Sequence, residues 1–238
     1  MSVHTSLTGV STCGKSVVLK EIIIPGHRAA GRDVIVLDPL GAEWRHATRV
    51  TQDPHRFVDC LKRSWNCVGI VDEIRVFYDD FKARIGIEWC FFAGRNRGHL
   101  MYCAAQRMRM IPPNIREQCG HALLFNQNAA GLRDIADDLN QPDAILAAQL
   151  PRGQCLICAP MAAPIWYEVF DVTAPRFRLT RRTLGRAEGG RLIRIGAVSP
   201  LSRVSMAQAD RARRVELPPA AQDRPRTNQG PTPCGKTA

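Results

Sequence analysis

The stretch GVSTCGKS, Gly9 to Ser16, constrains this chain more than any other. It satisfies G-x-x-x-x-G-K-[ST], a pattern that makes physical sense only between a strand and a helix. Small residues let successive backbone N–H groups turn inward on an anion. A lysine then reaches the outer phosphates, and a hydroxyl reaches a magnesium ion. The strand before it must be short, since eight residues precede Gly9 and SVHTSL is polar for a core strand; five or six residues suffice. The helix after it starts at once with VVLKEI.

The same pattern recurs as GPTPCGKT, Gly230 to Thr237, one residue from the end of the 238. Its surroundings fail every condition that the first copy meets. QDRPRTNQ before it is not a strand, a single alanine after it leaves no helix, and Pro231 and Pro233 each remove an N–H donor. It reads as chance in a Pro-rich tail.

Between the two copies, short β-branched runs alternate with amphipathic stretches, which predicts an α/β fold with a mainly parallel sheet and helices on both faces. The strand candidates are SVHTSL, DVIVLDP, CVGIVDE, HLMYCAAQ, HALLFNQ, GQCLICAP and WYEVFDV. The helix candidates are GKSVVLKEIIIPG, DPHRFVDCLKRSW, FKARIGIEWCFFAGRNRG and AAGLRDIADDLNQ. The expected organisation is a nucleotide-binding core over 1–175, a short β extension within 176–200 around RLIRIGAVSP, and a basic, largely disordered tail over 201–238.

Charge divides the chain in the same way. From Ala174 onward there are 13 Arg and one Lys against four acids, so nearly all of the net charge of +11 lies there. Such a segment suits nucleic acid phosphates, or serves only to keep a solvated tail soluble. Nine scattered cysteines without a leader sequence predict a reducing compartment rather than a disulfide scaffold. Cys155 and Cys158 form a lone C-x-x-C inside an apolar run, which reads as small core residues and not as a zinc site. No apolar run reaches the roughly 18 to 20 residues that cross a bilayer.

Several strand candidates end in residues that would complete phosphate chemistry. CVGIVDE runs into Asp72 and Glu73, an acid to hold magnesium through its water shell and a neighbour to activate an attacking water. HLMYCAAQ ends in Gln106, suited to orient that water or to sense the γ-phosphate. DVIVLDP ends in Asp38, either a secondary contact in the same cleft or a helix cap.

In this order, GKS, VIVLDPLGAEW, GIVDE and GRNRGHLMYCAAQRMRMIPPNIREQCGHALLF resemble the FtsK-HerA superfamily of DNA-translocating ATPases over about residues 5–140. The Gln-Arg segment followed by IPPNIR is the most specific part. The resemblance implies a P-loop sheet of the RecA-like, additional-strand type. It implies ATP and Mg2+ as ligands, with Gly9, Val10, Ser11, Thr12, Cys13, Gly14, Lys15, Ser16 and Val17 around the phosphates. Ser16 and Asp72 would then hold the metal, Glu73 the water, and Gln106 the γ-phosphate.

It also implies self-association into a ring, hexameric in expectation, in which a neighbour donates an arginine. Arg97 and Arg95 occupy the region where the family places it, with Arg116 as runner-up. Arg107, Arg109 and the MRMIPP loop are expected to face the pore or a neighbouring subunit.

The short chain, without an N-terminal barrel, winged domain or membrane anchor, is most similar to the small genome-packaging ATPases of tailless, membrane-containing icosahedral phages. The expected partners are DNA, held by its backbone without regard to sequence, and capsid-vertex or viral membrane proteins. The expected location is the host cytoplasm or the virion. Filamentous-phage-assembly or conjugation-type DNA-transfer ATPases of the same superfamily remain alternatives, as do a small P-loop kinase and a nucleotide-binding assembly protein that does not hydrolyse.

Overall fold

The five-residue run HTSLT is short and polar, yet it lies in the middle of the sheet as β1 (His4–Thr8), and all of its residues are buried. Its polar side chains are accommodated by partners. His4 accepts at Nδ1 from the Met101 N–H at 3.0 Å, and its Nε2 lies 2.9 Å from the Phe91 carbonyl. Thr8 Oγ1 accepts from the Gln127 amide at 2.8 Å. A buried polar group costs little once bonded, so hydropathy alone underrates this strand.

In the computed structural model, residues 3–160, 162–170, 177–186 and 192–197 are described. The strands that follow β1 are β2 (Val34–Leu37), β3 (Arg49–Thr51), β4 (Val68–Val71), β5 (Leu100–Ala105), β6 (Cys119–Leu124), β7 (Gln154–Ala159), β8 (Ala162–Phe170), β9 (Phe177–Arg186) and β10 (Leu192–Ala197). They form one sheet in the order β10-β9-β8-β7-β6-β1-β5-β4-β2-β3. From β6 to β3 every pairing is parallel, and from β6 outward to β10 every pairing is antiparallel. One strand, β5, stands between the phosphate-loop strand β1 and the Asp-Glu strand β4. That insertion defines the additional-strand arrangement expected from the sequence.

Helices cover both faces of the parallel part. Residues alternate along each strand, so Ile35 and Leu37 enter one core with Phe57, Leu61, Ile87 and Phe91, while Val34 and Val36 enter the other with Val18, Leu19 and Ile24. The first face carries α3 (Pro54–Lys62), α4 (Phe81–Phe92), α5 (Pro113–Gln118) and α6 (Ala129–Asp138); the second carries α1 (Lys15–Val18) and α2 (Ile24–Ala29). Asp53 and Asp80 cap α3 and α4, each accepting from two N–H groups of the first turn, and Pro54 occupies the first helical position. Cys155 and Cys158, three apart on β7, point to opposite faces and enter different cores, so they cannot share a metal ion.

The sequence expectations differ from the structure in several places. The helix after the phosphate loop does not stop at Pro25-Gly26. It continues to Ala29 through a π-helical turn at Leu19–Ile23, directly before the proline that lacks an N–H and crowds the preceding turn. The helix from Phe81 ends at Phe92, and GRNR forms a 3-10 turn that closes on Gly98 in the left-handed region. β3 and α5 were not expected; β3 is three residues long and lies at the sheet edge, below the length at which alternation shows. Where one short strand was expected, around RLIRIGAVSP, there are two: FRLTRRTLGR forms β9 and LIRIGA forms β10. The described residues belong to one unit, 1–203. The tail from 201 and the second motif at 230–237 lie outside the described residues.

Candidate nucleotide site

Parallel register brings the sequence-predicted residues to one edge. Thr8 pairs with Ala105, so Gly9 and Gln106 leave the sheet side by side. Leu37 pairs with Val71, so Asp38 and Asp72 do the same one and two strands further on. The site thus lies at the carboxyl ends of the strands, where an open α/β sheet binds ligands.

The loop itself is tightly fixed. A Cβ on Gly9 would lie 2.5 Å from Phe125 Cβ and 2.8 Å from Cys13 Sγ, so no larger residue fits there. Gly14 has φ of 120° and Thr12 of 63°, the turn geometry that directs loop amides to one side. Lys15 is buried, and its Nζ donates to the Gly9 carbonyl at 2.6 Å and the Val10 carbonyl at 3.1 Å. Ser16 is exposed at the helix start, with its hydroxyl available to a metal. Cys13 is buried, and burial pushes its thiol up against the pull of Lys15, so it serves as packing and not as a nucleophile.

Asp72 and Glu73 differ although adjacent. Burial, then the charges of Glu73 and Asp38, raise the Asp72 carboxyl to about 6, against the Glu73 N–H and Lys15, which lower it. A cation bound beside it would reverse that shift. Glu73 stands in the left-handed region at φ 47°, ψ 55°. For a non-glycine residue that costs of order 1 kcal/mol or more, and such strain gathers at functional sites. Gln106 is exposed immediately after β5. The glycine-lined loop, the exposed Ser16 hydroxyl and this pair of carboxyls fit a magnesium-bound nucleoside triphosphate.

Asp38 is level with the site but plays a different part. It is buried, and its carboxylate accepts from Leu40 N at 2.9 Å, Ala42 N at 2.7 Å and Trp44 Nε1 at 2.9 Å. Of the two roles open to it in the sequence, the structure selects the cap, of a loop rather than of a helix. Its charge still reaches Asp72.

The arginines do not join this site within one chain. Arg95 and Arg97 precede β5, at the opposite edge of the sheet. Arg95 Nη2 donates to the Gln118 carbonyl at 3.3 Å and to its side chain at 3.2 Å, and Arg97 stacks 4.8 Å from the Trp65 ring. Arg116 is held by Asp138 at 2.6 Å. Arg109 makes a two-bond fork with Asp134, at 2.5 and 3.1 Å. This ion pair fastens the 3-10 turn Met108–Met110 to α6 and leaves Arg109 exposed. Arg107 is exposed beside Gln106.

Sequence reasoning missed the clamp on the loop. The Val10 N–H donates to the Asn126 carbonyl at 2.9 Å, and the Gly153 N–H donates to the Cys13 carbonyl at 3.1 Å. The Asn126 side chain donates to the Ala148 and Leu150 carbonyls at 3.2 and 2.8 Å, tying these two anchors together. Gln127 holds Thr8. The only sequence sign was the polar end, FNQN, of the HALLF strand.

No family model and no curated protein matches the sequence. Among solved structures, the genome packaging NTPase B204 from Sulfolobus turreted icosahedral virus 2, in complex with sulfate, superposes with a TM-score of 0.59 at 20% identity, over 69% of this chain and 95% of that one. Its complex with AMPPCP gives 0.55 at 20% identity, over 66% and 91%. VirB4 of Thermoanaerobacter pseudethanolicus gives 0.52 at 11% identity, over 72% and 90%. Strand order, loop geometry and these likenesses agree that the chain has the P-loop NTPase fold, in its additional-strand form.

Proposed function

We propose that this chain is an ATP-hydrolysing motor that moves DNA, and specifically a viral genome-packaging ATPase working as a ring of its own copies. The observation that carries the reading is the convergence of Lys15, Asp72, strained Glu73 and Gln106 on one sheet edge, in the strand order of an additional-strand NTPase. Likeness to B204, described as a genome packaging NTPase, supports the packaging assignment.

In this reading Lys15 and the amides of Gly9 to Val17 bind the ATP phosphates. Ser16 and Asp72 hold Mg2+, which draws charge from the phosphate oxygens when bound. Glu73 orients the attacking water and takes up its proton, and Gln106 contacts the γ-phosphate. Binding alone needs no strained carboxylate beside the metal acid, so Glu73 favours hydrolysis over the non-hydrolytic assembly role. In the ring this reading supposes, Arg95 or Arg97 reaches a neighbouring copy's site; their lying exposed or half-exposed at the far edge supports that. DNA is gripped by its backbone, because a motor must ignore sequence. The capsid vertex or a viral membrane protein is the docking partner, in the host cytoplasm or the virion.

The test is phosphate release by purified protein with and without double- or single-stranded DNA, alongside its mass in solution. DNA-stimulated release by an oligomer, absent in Glu73→Gln, is the expected result. A monomer indifferent to DNA would defeat the motor reading, and equal negligible rates in both proteins would defeat hydrolysis. A phosphorylated acceptor would point instead to a kinase.

A further inference from the structure

The clamp on the phosphate loop has a charged crest. Arg152 immediately precedes Gly153, whose N–H is bonded to the Cys13 carbonyl, and its side chain is exposed. Its position is set on both sides, by Asn126 holding Leu150 and by β7 beginning at Gln154. We propose that Arg152 is a nucleotide-binding cation acting in cis, which contacts the α-phosphate on the flank of the loop away from Glu73. It rests on the reading of Gly9–Ser16 as a phosphate loop.

Strand order supplies the direction. Asp72 and Glu73 follow β4, two places from β1 on one side; Arg152 precedes β7, two places from β1 on the other. The γ-phosphate must lie toward the carboxyls that hold metal and water. The rest of the nucleotide therefore extends toward β6 and β7, where Arg152 stands. Lys15 and Arg152 both act on the Cys13 thiol, pulling it down against the larger effect of burial. A guanidinium suits this task because it is always charged and offers donors in a fixed fork.

The α-phosphate keeps its charge throughout γ-phosphoryl transfer. A contact to it therefore strengthens ground state and transition state alike, and its loss falls on KM. This separates Arg152 from an arginine donated by a neighbour, whose loss falls on kcat. It also places the residue in the site of the same chain, so its effect does not require assembly.

Titration calorimetry of the full chain with MgADP, at low and high salt, tests the proposal on parent, Arg152→Ala, Arg152→Lys and Lys15→Ala proteins. Arg152→Ala should weaken MgADP about tenfold, as expected for one charge-assisted bond. Arg152→Lys should recover part of that, and the salt dependence should shrink in Arg152→Ala. Parent-like MgADP binding by Arg152→Ala, with binding lost in Lys15→Ala, overturns the proposal and leaves the phosphate loop standing. Parent-like binding by Lys15→Ala overturns the phosphate-loop reading and this inference with it. If Arg152→Ala changes the preference for MgADP over MgIDP but not the salt dependence, the contact is to the base and the α-phosphate assignment is wrong.

Discussion

The two edges of the parallel sheet are built from similar residues and treat them in opposite ways. At the amino edge, polar groups are bonded to their neighbours. His99 accepts from Cys67 N at 3.2 Å and lies 2.9 Å from the Leu61 carbonyl, His4 joins Phe91 to Met101, and Arg95 rests on Gln118. At the carboxyl edge, Glu73 is held in a strained conformation, burial and neighbouring acids push the Asp72 carboxyl up to about 6, and Gln106 and Ser16 are exposed. One edge is satisfied by its own partners, and the other gathers a strained residue, a raised carboxyl and exposed polar groups, the kind of setting in which functional sites are found.

The largest effect expected from breaking this contrast is chemical. Lys15→Ala or Glu73→Gln should lower ATP turnover by about a hundredfold or more, read as phosphate release, with unfolding temperature little changed. Lys236→Ala, in the second motif, should leave turnover as it was.

Asp38 tests the boundary between the edges, since it stands on the functional side but is satisfied like a structural residue. Asp38→Ala orphans two N–H groups and the Trp44 indole, and should cost about 2–3 kcal/mol in urea unfolding.

The edges should also respond to acid with opposite signs. Burial lowers His4 to about 4 and lowers His99, so below pH 6.5 the unfolded chain binds more protons and stability falls as pH drops toward 4. Asp72 is raised from 3.8 to about 6, so it contributes in the other direction, removing stability as pH rises from 4 to 6. Asp72→Asn should therefore raise the stability of magnesium-free protein at pH 7 by about 1 kcal/mol, allowing for partial exposure of the carboxyl, and steepen the acid loss. Denaturant titrations from pH 4 to 7 would show it, and an unchanged pH profile would remove Asp72 from the strained set.

The smallest effect belongs to Arg95. Its side chain is exposed, so Arg95→Ala should change stability by no more than about 0.5 kcal/mol. A fall in turnover confined to assembled protein would show that the amino edge completes the carboxyl edge of a neighbour.

Much of the carboxyl edge was legible in the sequence, because each of its residues follows directly on a strand or loop whose pattern is local. GKS announces a helix start, and GIVDE and YCAAQ are apolar runs that stop on a polar residue. Those signals need only a few residues and a period of two. The pairings of Arg109 with Asp134 and Arg116 with Asp138 could not be read in this way, since each joins residues more than twenty apart on separate elements. The same holds for Asn126, which matters through the carbonyls it reaches at 148 and 150.

By itself the sequence determined the α/β class and that Gly9–Ser16, the pair Asp72 and Glu73, and Gln106 each follow directly on a strand, all consequences of short-range periodicity and residue chemistry. Only the tertiary structure decided that a polar strand could occupy the centre of the sheet, that Asp38 caps a loop, and which arginines are tied to local partners. It also decided that the 126 and 150–153 segments hold the loop from behind. The physical reason is that a buried polar group is judged by the partner it finds, and that partner is set by strand order, which brings together residues far apart along the chain.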